Sequence, residues 1–195
     1  MPRPVDIGLS MAVAAVWAAI AHFTAGADIL FLVTFATTAF FLFMASALTG
    51  RRWMALTTAL AVGALSMQSA SVAGPGTYKL LLFAGAGAVF ELFCSLRKDG
   101  WPFLGALAAT ASMPVLMWVL SGAGTLPIDA LIDSTVLALA AGASGAVCAY
   151  MIWGRLAHTK AVIKFQCAGS ARSVEELKKL TKWRKRGKRF NSENG

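Results

Sequence analysis

Residues 30–53 read LFLVTFATTAFFLFMASALTGRRW. An uncharged apolar run is closed by a glycine, two arginines and a tryptophan. A helix needs roughly 20 mostly apolar residues to cross the hydrocarbon of a bilayer, and this run supplies them. GRRW then marks a short basic loop. The same alternation of run and loop recurs along the chain. Spans are expected at about 7–23, 29–49, 53–70, 78–96, 101–120 and 131–154. The loop LRKDG separates the fourth and fifth spans, and SVAGPGT and SGAGTLPIDA carry the Gly and Pro of turns. The expected fold class is an all-α polytopic membrane protein with six transmembrane helices over residues 1–155, followed by a basic tail over 156–195.

Composition points the same way. The chain of 195 residues is 57% hydrophobic and 14% charged, with a mean hydropathy of +0.66. Soluble domains carry about a quarter of their residues charged, so a large soluble all-α core is the weaker account. The net charge of +9 is concentrated, because twelve of the 18 Lys and Arg lie from Arg155 onward. The remaining basic residues are Arg3, Arg51, Arg52, Lys79, Arg97 and Lys98. With an even number of spans, all the basic residues except Lys79 share one side, and the positive-inside rule makes that side, with both termini, cytoplasmic. The first run follows Arg3, but it contains Trp17 and His22 and lacks a clean small-x-small cleavage site, so it reads as a retained helix.

This topology gathers polar residues at the opposite, outer side. His22 and Asp28 flank the first outer turn in AHFTAGADIL. Gln68 ends the third span with Ser69 and Ser71, Tyr78 and Lys79 begin the fourth, Trp118 ends the fifth, and Asp129 and Asp133 begin the sixth. Polar groups at membrane depth are costly unless they pair or face water. The set is therefore a candidate site for a small-molecule substrate, in which Lys79 meets Asp129, Asp133 or a ligand carboxylate. The plainer account has Asp28 capping a helix, Lys79 snorkelling, and Tyr78 and Trp118 in an interfacial aromatic belt. Glu91, in the inner half of the fourth span, is expected to pair with Arg97 or with a base of GRRW. Proton or cation coupling is the sharper reading of the same carboxylate.

Catalytic signatures do not emerge. The sequence has no HExxH, GxSxG, Gly-rich phosphate loop or nucleotide motif. Its cysteines, Cys94, Cys148 and Cys167, form no CxxC pair and no metal-ligand spacing. No cofactor or metal is expected, and the chain does not read as an enzyme.

Two features suit partners. The first span contains MAVAAVWAAIA, in which Ala14 and Ala18, and likewise Ala15 and Ala19, lie one helical turn apart. Such small residues admit a second helix closely, either within the bundle or from a separate membrane subunit. AGAGA at 84–88, with Ala141, Gly142, Gly145 and Ala146 of the last span, repeats the theme. In the tail, SVEELKKLTKWRKRGKR places Ser173 and Glu176 at capping-box spacing and sets Leu177, Leu180 and Trp183 on one helical face. A short basic surface helix drawn to anionic lipid is the simplest reading, ahead of nucleic acid.

On these residues the chain resembles the substrate-binding membrane subunits, or S components, of energy-coupling factor vitamin transporters, over about residues 5–155. The resemblance implies six helices and a pocket open to the outside near Gln68, Tyr78, Lys79, Asp129 and Asp133. It also implies an AxxxA face on the first helix at Ala14–Ala18 or Ala15–Ala19 that meets a transmembrane coupling subunit. ATP would be hydrolysed by separate cytoplasmic ATPases, and the location would be the cytoplasmic membrane. The basic tail is longer than that family requires. An assembly subunit of a larger membrane complex, a stand-alone secondary transporter and a membrane enzyme are the alternatives.

Overall fold

The computed structural model describes residues 4–23, 30–67, 76–96, 102–120 and 127–157, together with 159 and 162. Six helices occupy them: α1 Pro4–Phe23, α2 Leu30–Thr49, α3 Met54–Ser66, α4 Gly76–Leu96, α5 Pro102–Leu120 and α6 Ile128–Leu156. The protein is all-α and of multi-pass membrane type. Among the described residues, stretches within α2, α4, α5 and α6 are long and apolar enough to cross a bilayer, and α1 and α3 contribute the shorter apolar stretches Pro4–Ile20 and Met54–Ser66. Two compact units divide the chain, Met1–Gly154 and Arg155–Gly195. The proposed amphipathic segment at 173–183 lies outside the described residues.

Because the chain is apolar nearly all round, small residues and polar anchors decide which helix faces meet. In α1, Asp6, Ser10, Ala14 and Trp17 recur at helical spacing and are fully or almost fully buried. The Trp17 indole stacks on Phe41 of α2 at a centroid distance of 5.7 Å and meets Phe83 of α4 edge-on at 5.2 Å. This aromatic cluster joins three helices around the largest fully buried side chain in the core.

α3 and α4 run antiparallel in close contact. A Cβ on Gly63 would come within 2.9 Å of the Leu80 Cα, and one on Gly87 within 2.7 Å of the Ala59 Cβ. Gly85, two residues away from Gly87 and so on nearly the opposite side of α4, faces Leu116 of α5. The AGAGA segment thus lets α4 sit between α3 and α5 with a glycine toward each. α6 approaches in the same way: a Cβ on Gly142 would strike Thr110 of α5, and one on Gly145 would strike the Ala36 carbonyl of α2.

Hydroxyls inside the apolar helices bond back to their own backbone. Thr38 donates to the Thr34 carbonyl at 2.7 Å, Thr58 to Met54 at 2.9 Å and Thr110 to Ala106 at 3.1 Å. Such bonds satisfy a polar side chain without a second helix. Pro114 lies buried within α5 and supplies no N–H to the carbonyl one turn earlier.

Candidate functional site

The short α3 organises both polar ends of the first unit. Its 13 residues reach only about 20 Å at 1.5 Å per residue, against roughly 30 Å of bilayer hydrocarbon. Its terminal N–H and C=O groups therefore need partners from the protein. α4 brings an ionisable group to each end.

At the start of α3, Gly50 ends α2 in the left-handed region (φ 60°), with its N–H donating to the Ser46 carbonyl at 2.8 Å. Trp53 then takes the N-cap position with φ 71° and no side-chain cap of its own. An indole cannot accept the first helical N–H groups. Glu91 of α4 does so instead: its Oε1 accepts a hydrogen bond from the Ala55 N–H at 3.0 Å. The carboxylate is 8% exposed and lies at the positive end of the α3 dipole. Backbone capping thus fills the structural role expected of Glu91, which the sequence assigned to Arg97 or a base of GRRW. Arg97 lies outside the described residues. The base nearest in function, Arg51, pairs elsewhere, with its Nε 2.9 Å from Oδ2 of the fully buried Asp6. That ion pair ties the beginning of α1 to the α2–α3 turn.

At the other end of α3, the Met67 N–H closes a tight turn on the Ala64 carbonyl at 3.3 Å. Lys79 Nζ lies 3.5 Å from the Ser66 carbonyl, and the side chain is 2% exposed. A cation at a helix C-terminus is the favourable sign. Lys79 and Glu91 are twelve positions apart on α4, a rise of roughly 18 Å that matches the length of α3. Both charges therefore serve the same short helix.

The other expected substrate contacts separate into three groups. Tyr78 is exposed, Trp118 is half-buried, and Asp129 and Asp133 are exposed on the first two turns of α6. His22 belongs to α1, but its side chain lies outside the described residues, as do Asp28 and Gln68 altogether. Of the small-residue candidates, Ala14 is buried in the bundle and Ala18 half-buried, whereas Ala15 and Ala19 are exposed. Gly8 and Ala12 continue the exposed line, and a Cβ on Gly8 would meet nothing within 4 Å.

Sequence reading missed two features. The span expected at about 7–23 begins just after Asp6, although an acid beside an apolar run and a facing GRRW loop is a legible pairing signal. A groove of about 390 Å³ was also missed; it is lined by Arg52, Trp53, Glu91 and Ser95 and by the apolar Ala88, Val89 and Leu92. It requires the α2–α3 turn to sit beside the last turns of α4, a tertiary fact with no local signature. Among the described residues, no group of three His, Cys, Asp or Glu is placed to hold a metal ion. Compared with protein families, curated proteins and solved structures, the chain matches none.

Proposed function

We propose that the protein is the membrane-embedded substrate-binding subunit of an uptake system for a small solute such as a vitamin or its precursor, working with an ATP-driven coupling module. In this reading all six helices cross the cytoplasmic membrane, both termini are cytoplasmic, and the basic tail rests on anionic lipid. The solute is captured at the end of the bundle that carries Lys79, near Tyr78, Trp118, Asp129 and Asp133, with His22, Asp28 and Gln68 in the adjoining segments.

The observation that carries the reading is the outer face of α1. Gly8, Ala12, Ala15 and Ala19 follow one another at intervals of four, three and four residues and are all exposed, while Asp6, Ser10, Ala14 and Trp17 turn inward. A smooth face of this kind suits close approach by a helix of another subunit. Between the two AxxxA pairs, exposure favours Ala15–Ala19 for docking and leaves Ala14 to internal packing.

Gentle purification with associated proteins and small molecules retained, read by mass spectrometry, tests the proposal. A transmembrane coupling protein, two ATPases and a bound solute are the expected companions. Ala15→Leu with Ala19→Leu should remove the protein partners without lowering the thermal midpoint of the purified chain. Asp133→Asn should reduce solute retention while leaving the partners in place. Repeated recovery of other membrane proteins without ATPases or solute would favour an assembly subunit, which the same α1 face also suits.

A further inference from the structure

The groove beside the start of α3 combines features that its capping role does not use. Arg52 is exposed and forms no ion pair with another described residue. Glu91 spends Oε1 on the Ala55 N–H, and among the described residues no donor meets its second oxygen. A cation and a carboxylate thus share one lining with Trp53, which is 64% exposed. Ala88 and Leu92, one turn apart on α4, extend the wall with apolar surface. Beyond them Phe93 and Leu96 continue the exposed apolar face.

We propose that this groove is a specific site for one aminophospholipid, of the phosphatidylethanolamine type. The phosphate sits on the Arg52 guanidinium, a planar donor suited to phosphate oxygens. The primary ammonium donates to the free oxygen of Glu91. The first acyl methylenes lie along Ala88, Val89 and Leu92, and the Trp53 indole sits at the level of the glycerol backbone, where interfacial tryptophans concentrate. The volume of about 390 Å³ accommodates a headgroup and the start of the chains, and the rest of the lipid follows the exposed apolar face.

Charge selects the headgroup. An anionic headgroup without an amine brings excess negative charge to a wall that already contains Glu91. A choline headgroup carries its positive charge but has no N–H to donate to the carboxylate. A primary amine satisfies both walls. The Glu91 carboxylate then joins α3 to the lipid, with one oxygen on the helix N-terminus and the other on the ligand.

The test uses the full chain in mild detergent, stripped of lipid, with phosphatidylethanolamine, phosphatidylcholine and phosphatidylglycerol of identical acyl chains added in turn. Native mass spectrometry reads the fraction retaining one lipid. Phosphatidylethanolamine should be retained best, and Arg52→Gln should weaken it roughly tenfold, as the loss of one charge-assisted contact implies. Ala88→Phe, which fills the apolar part without touching a charge, should weaken all three lipids. Glu91→Gln keeps an acceptor for Ala55 and should abolish the preference among headgroups. Equal or better retention of phosphatidylcholine or phosphatidylglycerol by the unaltered chain would overturn the assignment. So would retention unmoved by both Arg52→Gln and Ala88→Phe, the behaviour of a non-specific lipid shell.

Discussion

Asp6 is a fully buried acid whose charge is matched by Arg51, itself 31% exposed. Removing one member of a buried pair leaves an uncompensated charge and commonly costs 3–5 kcal/mol, but partial exposure of the arginine lets solvent screen part of that. Arg51→Gln should therefore destabilise the detergent-solubilised protein by about 2 kcal/mol, and Asp6→Asn added to it should recover much of the loss. A double-mutant cycle on thermal midpoints reads the coupling; two independent, additive losses would count against it. Ser10 presents the opposite case one turn further along α1. Its Oγ is buried and has no hydrogen-bond partner among the described residues. Ser10→Ala removes that burden and should raise stability by roughly 1 kcal/mol, whereas a lowered midpoint would mean that the hydroxyl has a partner after all.

At the scale of the helices, Glu91 can be separated into acceptor and charge. Glu91→Gln retains an oxygen for the Ala55 N–H and should cost less than 1 kcal/mol, while Glu91→Leu leaves the α3 N-terminus uncapped at a cost of roughly 1–2 kcal/mol. Amide exchange at residues 54–57 should accelerate in the leucine variant and change little in the glutamine variant. Contact between α6 and the remainder depends on close backbone approach. Gly145 faces the main chain of α2, which cannot rotate aside as a side chain can. Gly145→Ala should thus cost about 1–3 kcal/mol through overpacking, visible as a lowered midpoint and as faster labelling of a cysteine placed on the covered face of α6. Gly154→Ala, where added bulk meets nothing within 4 Å, is the matched control.

For the whole molecule, the proposed six crossings would place both ends of the chain on one side. Reporters that work only in the cytoplasm should be active when fused at either terminus, and activity at one terminus alone would remove a crossing. The six helices were legible in the sequence because apolar length and loop punctuation are local signals: α2, read at about 29–49, is Leu30–Thr49, and α5, read at about 101–120, is Pro102–Leu120. α3 departs most. Its run of small and apolar residues suggested a span to about 70, but the helix ends at Ser66, where Met67 turns back on Ala64. The polar ends were less legible for a physical reason. Sequence marks a Lys or Glu as expensive at depth but does not say which group compensates it. For Glu91 and Lys79 the compensation includes backbone groups at the two ends of α3, and a backbone atom leaves no trace in residue identity. The orientation of α1 was equally hidden, since alanines cover much of its circumference and only tertiary packing divides Ala14 from Ala15.

The dependence of α3 on α4 also bears on biogenesis. With 13 residues and charges for both of its ends held on the following helix, α3 is a poor candidate for stable insertion on its own. During synthesis it should stay near the translocon until α4 emerges, and the two should partition into lipid as a hairpin. A ribosome-bound chain arrested once α3, but not α4, has left the ribosome should therefore leave α3 open to aqueous labelling. One arrested well beyond residue 96 should protect it. Replacing Glu91 and Lys79 together would then show its first effect in the insertion efficiency of the preceding helix, before any change in the activity of the mature protein.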